Sequence, residues 1–207
     1  MATAARRDEQ ELIAALQSSD SAIAAAACAE LVQIYSPRIY RMALKLMGTP
    51  EEAEEVLQET FISACQHIGQ FAGRSALGTW LYRIGTNVGL MRLRRRRPEA
   101  ISIDAPMETD DREVLPQQLV EWRWQPEEIV LSQELRQALD QAVAQLPETL
   151  RAAFILRDIE GLSTAETAEA LGISVTATKV RLHRARLQLR ESLSRYFAAA
   201  EGTHGRA

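Results

Sequence analysis

Apolar side chains recur along this chain at steps of three and four, with no sustained alternation, and that period belongs to helices. In the first half it predicts four of them: Glu9 to Gln17, Ala22 to Met47, Pro50 to Ile68 and Ala76 to Arg96. The second crosses Pro37, which lacks an amide donor and is expected to break or bend it. The third has a legible start. Thr49 is placed to cap, Pro50 suits the first helical position, and Glu51 and Glu52 favour the positive end of the dipole. Its predicted buried stripe is Ala53, Val56, Leu57, Thr60, Phe61, Ala64 and Ile68, and that of the fourth helix is Leu77, Leu81, Ile84, Val88 and Met91. The second half predicts Glu127 to Gln145, Glu148 to Asp158, Thr164 to Leu171 and Val175 to Phe197, with Ala198 to Ala207 as a frayed tail.

Between the halves the period fails. Pro98, Pro106, Pro116 and Pro126 each remove a donor and restrain the preceding residue, so no long helix survives there. The expected fold class is therefore all-α, with two small helical domains, 1–97 and 127–197, joined by a linker over 98–126 and followed by a tail over 198–207. Val114, Leu115, Leu119, Val120, Trp122 and Trp124 leave two readings of the linker open: docking on a partner, or packing on its own domain.

Charge sharpens the division. The 207 residues carry a formal net charge of -4, yet residues 98–128 alone hold nine acids against two bases, leaving +3 for the remainder. Arg92, Arg94, Arg95, Arg96 and Arg97 form one basic cluster, and Lys179, Arg181, Arg184, Arg186, Arg190 and Arg195 another. Screening limits the reach of a charge to about 8–10 Å in physiological salt, so these local clusters decide phosphate binding.

A hydrophobic fraction of 46% permits packed cores, and aromatics at 5% with abundant alanine and leucine favour helix. No run of 18 apolar residues exists, so no membrane insertion is expected. Met1 to Arg7 has no apolar core behind it and does not read as a signal peptide. Cys28 and Cys65 are too few for a metal box and read as two buried free thiols in a reducing cytoplasm. Paired carboxylates, metal-ligand clusters and phosphate-cradling glycine loops are missing, so no enzyme, cofactor or metal site is expected.

The sharpest signal lies near the C-terminus. Ser163 precedes Glu166 by the capping-box spacing, Ala168 is small where helices cross, Gly172 supplies a tight turn, and Ser174 can cap a longer basic helix. That is a helix-turn-helix. On its second helix Val175, Thr178, Leu182, Ala185, Leu189 and Leu193 face the core by period. The opposite face offers Thr176, Lys179, Val180, His183 and Arg184, with Arg190 further along, a set suited to the major groove. A solvated basic helix is the alternative, but it does not explain Val180, which contact with a thymine methyl would. His183 has no partner acid and reads as a DNA contact.

In the first domain, Trp80 stands beside Arg83, Asn87 and Arg94, a mixture suited to unstacked bases and phosphates unless Trp80 is simply core. The polar loop Gln70, Phe71, Ala72, Gly73, Arg74 and Ser75 is suited to gripping an extruded base. The third helix exposes Glu55, Gln58 and Glu59 together with Ile62. Solvation explains the acids but not Ile62; a protein partner with basic residues and an apolar spot explains both.

Three stretches, EEAEEVLQETFISACQHIGQF (51–71), TWLYRIGTNVGLMRLRRRR (79–97) and LPETLRAAFILRDIEGLSTAETAEALGISVTATKVRLHRARLQLR (146–190), together resemble bacterial sigma factors of the extracytoplasmic-function type. The resemblance implies a first domain that binds the clamp helices of core RNA polymerase and opens the promoter −10 element. It implies a second domain that holds the polymerase flap and reads the −35 element, and it leaves open an anti-sigma protein as a further partner. By matching motifs, Glu55, Gln58 and Glu59 are similar to clamp contacts, and Gln70 to Ser75 to the loop that captures a flipped −10 base. Trp80, Arg83 and Asn87 then lie near the opened strand, and Lys179, Val180, Arg181, His183 and Arg184 match the −35 readers. The chain departs from the family at Thr178, where valine or isoleucine is usual, and at Val180, where serine is common. Gly78, Gly85 and Gly89 interrupt the fourth helix at about 1 kcal/mol each if exposed. The main rival is a helix-turn-helix regulator that binds DNA alone, which binding to core polymerase without DNA would exclude.

Overall fold

The structure, a computed structural model, describes residues 8–96 and 133–204, with side chains over 8–96 and 137–194. The predicted linker and the predicted helix start at Glu127 lie outside the described residues. Among those residues the fold is all-α: α1 (Glu9–Leu16), α2 (Ser21–Met47), α3 (Pro50–His67), a 3-10 turn (Ile68–Gln70), α4 (Leu77–Arg96), α5 (Gln133–Gln145), α6 (Glu148–Phe154) with a π-helical turn (Ile155–Ile159), α7 (Thr164–Leu171) and α8 (Val175–His204). The chain divides into two compact units, Met1–Gly89 and Leu90–Ala207.

In the first unit, α2 is the central rod, packed by α1 and α3. Asp8 caps α1 by accepting from the Glu9 amide at 2.7 Å, and Asp20 caps α2 by accepting from Ala22 at 2.8 Å. Pro37 does not break α2, which runs unbroken through 27 residues. Pro37 and Gln33, whose carbonyl loses its donor, are both exposed, so water can satisfy that carbonyl. Thr49 precedes α3 as expected but does not cap it with its side chain; its hydroxyl donates to Glu52 at 2.9 Å instead.

Leu31, Ile39, Met42, Leu46, Val56, Thr60, Leu77 and Leu81 are almost fully buried and make the core. α4 joins it through its glycines. A Cβ on Gly85 would stand 2.8 Å from Met42 and 3.1 Å from Thr60, and one on Gly89 would stand 2.6 Å from Leu46. The helix thus accepts glycine's entropy cost in exchange for close approach. Met91, predicted to be core, is instead 43% exposed, because it falls by period toward the side of the exposed Asn87 and Arg94 while Val88 and Leu93 stay buried.

The expectation of free thiols is overturned: Cys28 on α2 and Cys65 on α3 form a disulfide. Ala27 and Ala64, both without exposed surface, let the two helices lie close together. Their neighbours then fall within bridging reach, with Cα atoms 6.1 Å apart.

In the second unit, α8 packs on α5, α6 and α7. The buried Arg151 of α6 donates to the Ala144 carbonyl of α5 at 3.2 Å. Burial lowers the pKa of its guanidinium, while Glu148 pulls it back up. α8 does not end at Phe197 but continues to His204, through three alanines with the best helix propensity.

The cross-link closes a separation of 37 residues, which in the chain-entropy account is worth about 4 kcal/mol. Reduction should therefore lower the urea midpoint of the oxidised chain, while Cys28→Ala with Cys65→Ala should make that midpoint indifferent to reductant. An oxidised chain that melts identically with and without reductant would show that the bridge contributes nothing.

Candidate polymerase- and DNA-binding surfaces

The candidate polymerase face is a single stripe of α3, because Gln58 and Glu59 each lie three or four residues from both Glu55 and Ile62. Glu55 and Gln58 are exposed, Glu59 is half-buried, and Ile62 is 59% exposed. The opposite stripe, Ala53, Val56, Thr60 and Ala64, is buried. Ile62 is the most exposed of the large apolar side chains among the described residues.

The loop from Gln70 to Ser75 divides into an anchor and a tip. Gln70, Ala72, Gly73 and Arg74 are exposed and Ser75 is half-buried. Phe71 is 6% exposed, with its ring 5.3 Å from that of Trp80, so it packs inward while its loop neighbours reach the surface. The same contact accounts for the half-burial of Trp80. Arg83 and Asn87 are exposed on the turns that follow, and the stripe continues along α4 to the exposed Arg94. It lies opposite Gly78, Gly85 and Gly89 on the helix wheel, so the glycines that pack inward hold the polar stripe outward.

Two residues outside every sequence signal complete this arrangement. Gln17, at the end of α1, donates from Nε2 to the Ile68 carbonyl at 3.1 Å and to the Phe71 carbonyl at 3.0 Å. Glu9, at the start of α1, accepts from the Leu77 amide at 3.1 Å and from the Tyr35 hydroxyl at 3.4 Å. These pairs are 51 to 68 residues apart in sequence, except Tyr35 at 26, and no local pattern announces them.

In the second unit the helix-turn-helix forms as the sequence predicts. Ser163 and Glu166 complete the reciprocal capping box, with bonds of 3.2 Å and 2.8 Å. The Ser163 side chain, and then its backbone, lower the pKa of the Glu166 carboxyl. Gly172 ends α7 at φ 66, a left-handed conformation that a Cβ would strain, and Ser174 caps α8 through the Ala177 amide at 3.0 Å. Thr178 is fully buried, and its hydroxyl donates back to the Ser174 carbonyl at 3.0 Å, so the departure from an aliphatic residue leaves no unsatisfied group.

Behind α8 lie Thr178, Leu182, Ala185 and Leu189, all buried. Thr176, Lys179, Arg184 and Arg190 are exposed on the outer side, with Val180 and His183 half-buried among them. Arg181 is half-buried and falls by period beside the buried stripe, apart from the other candidate readers. Val175, predicted to be core, is 44% exposed, because it occupies the first position of α8 before the buried stripe begins at Thr178. Leu187, which no pattern singled out, is 52% exposed on the same outer line as Val180. Arg186 is held elsewhere: its guanidinium makes a fork to Asp158 at 2.7 Å and 3.1 Å, and that carboxylate is 5% exposed. The π-helical turn Ile155–Ile159 carries Asp158 to this position.

A helical unit bearing a helix-turn-helix, and another pairing an aromatic–cationic stripe with an acidic–apolar one, define a class of DNA-binding transcription protein. The sigma-70 region 2 family matches residues 31–99, and the sigma-70 region 4 family matches residues 136–189. The ECF RNA polymerase sigma factor SigW of Bacillus subtilis is 36% identical over 167 residues, covering 81% of this chain and 89% of that protein. The RNA polymerase sigma-H factor of Pseudomonas aeruginosa is 32% identical over 191 residues, covering 91% and 95%. In fold, the chain is similar to CnrH in complex with the cytosolic domain of CnrY, at a TM-score of 0.62 and 24% identity over 90% of this chain and 97% of that one. It is also similar to the sigma factor RpoE bound to the anti-sigma factor NepR of Bartonella quintana, at 0.57 and 24% over 80% and 95%. The chain belongs to the extracytoplasmic-function sigma factors, initiation factors that bind core RNA polymerase and direct it to promoters. Among the described residues no helix is long and apolar enough to cross a membrane.

The fork to Asp158 separates Arg186 from its neighbour Arg190. Arg186→Ala leaves a buried carboxylate unpaired and should destabilise the second domain by about 3 kcal/mol. It should leave the salt dependence of DNA binding unchanged, whereas Arg190→Ala should lower the slope by about one unit. Urea melts and salt titrations measure both quantities, and a unit fall in slope for Arg186→Ala would return that residue to the DNA.

Proposed function

We propose that residues 1–97 bind the clamp helices of core polymerase through Glu55, Gln58, Glu59 and Ile62 and open the −10 element. The loop tip Ala72–Ser75, with Gln70 at its entry, takes up a flipped base, while Trp80, Arg83, Asn87 and Arg94 line the opened strand. Residues 98–126 are the linker. Residues 127–197 hold the flap and read the −35 element with Thr176, Lys179, Val180, His183 and Arg184, while Arg190 meets phosphate. Arg181 belongs to this domain's DNA-proximal helix but not to its reading line. The chain works inside the cell, by binding and not by catalysis. It is open to restraint by an anti-sigma protein, since one solved structure of like fold is bound to such a factor.

One observation carries the reading most directly: the outer face of α8 is cationic and hydrogen-bonding with an apolar residue at its centre, and a complete helix-turn-helix stands behind it. A base contact yields discrimination of about 1–3 kcal/mol, whereas a phosphate contact yields sequence-blind affinity. The rival, a regulator that needs no polymerase, gives Ile62 no purpose.

Two experiments test the assignment. Glu55→Lys with Glu59→Lys should abolish binding to core polymerase at intact helicity, since one side chain is exposed and the other half-buried; a pull-down at unchanged affinity would remove α3 from the interface. Lys179→Ala or His183→Ala should relax preference at one or two positions of the −35 element in competition across promoter variants at two salt concentrations. Uniform loss of affinity in both variants would mean that α8 does not read bases along this line.

A further inference from the structure

We infer that α1 is the brace of the −10 loop, with Gln17 and Glu9 as positioning residues that set where its tip is presented. The inference rests on the reading of residues 70–75 as the base-capturing segment and adds what holds that segment in place. A loop that must receive one extruded base has to be presented in a fixed geometry, because every freedom it keeps is lost again on binding.

The hydrogen bonds supply that geometry. The chain leaves α3 through the 3-10 turn, and the Gln17 side-chain amide donates to the carbonyls of Ile68, at the start of that turn, and of Phe71, just past its end. Four residues after the tip begins, at Ala76, the chain is about to enter α4. There the first amide of that helix, on Leu77, is taken by the Glu9 carboxylate, a cap supplied from 68 residues away. The Phe71 ring, seated on Trp80, fixes the entry from beneath. Glu9 and Gln17 stand at the two ends of one short helix whose apolar side, Leu12 and Leu16, is buried. A single rigid element therefore spans the loop and grips it on either side of the exposed tip. The Tyr35 hydroxyl, bonded to the second oxygen of Glu9, ties that end to α2.

Neither residue touches DNA in this account, so the test must separate positioning from folding. In the free full-length chain, amide exchange at Leu77 should accelerate at least tenfold in Glu9→Ala and stay near wild type in Glu9→Gln, which keeps an acceptor. Unchanged protection in Glu9→Ala overturns the brace whatever the DNA results. In the reconstituted holoenzyme, competition among promoters varied one base at a time should show the effect on reading. Gln17→Ala and Gln17→Glu, which sets an oxygen against two carbonyls, should flatten preference about tenfold at one −10 position, the scale of one base contact. Preference at −35 and affinity for core polymerase should stay as in wild type, and their parallel loss would mark a folding defect and overturn the inference. Arg74→Ala in the tip is the control. If it leaves −10 preference intact, the loop is not the reader and the functional reading of residues 70–75 fails; if it flattens preference while the Gln17 variants do not, the brace alone fails.

Discussion

Everything the first domain presents depends on how closely α4 can lie against α2. With a methyl at Gly85 or Gly89, the two helices would have to part or Met42 and Leu46 would have to move, because atoms would approach to 2.8 Å and 2.6 Å. Seated this way, α4 leaves Arg83 and Asn87 exposed, with Trp80 half-buried beside them. Tyr35 makes the corresponding approach at Gly78, where an added Cβ would stand at 3.2 Å, so the constraint begins at the first turn. A polar, aromatic stripe is no use to a nucleic acid unless its rotation about the helix axis is fixed, and the inward side fixes it.

The second domain reaches the same end by different means. There α8 is oriented by a turn, in which Ser163, Glu166, Gly172 and Ser174 satisfy the ends of α7 and α8, and then by the buried stripe from Thr178 to Leu189. The fork between Arg186 and Asp158 adds a directional bond to this otherwise non-directional packing. The π-helical turn is part of that bond, since it carries the carboxylate to α8.

Much of this was legible in the residue pattern. Helical period located the helices, the capping box located the turn, and the same period put Ile62 on the outer side of α3, where it is exposed. What stayed hidden depends on residues distant in sequence. Cys28 and Cys65 pair because Ala27 and Ala64 bring two helices together, which no spacing of cysteines discloses. Arg186 has the same local signature as Arg190 and differs in what the π-helical turn places opposite it. Gln17 and Glu9 are unremarkable polar residues on a short helix until the loop they hold is seen. Met91 and Val175 were assigned to the core but are exposed, Met91 because it lies at the edge of the buried arc of α4 and Val175 because it precedes the buried stripe of α8. Pro37 shows the reverse case, in which a strong local rule yields because the carbonyl it deprives is open to solvent.

The division of labour on α8 has an evolutionary consequence. The residues that hold the helix (Thr178, Leu182, Ala185, Leu189 and the forked Arg186) are distinct from those proposed to read DNA, which lie exposed or half-buried on the outer side. Substitutions on an outer face typically change stability by less than about 0.5 kcal/mol. A gene duplicate could therefore exchange Lys179, Val180 or His183 and acquire a different set of promoters in a few steps, with no intermediate failing to fold.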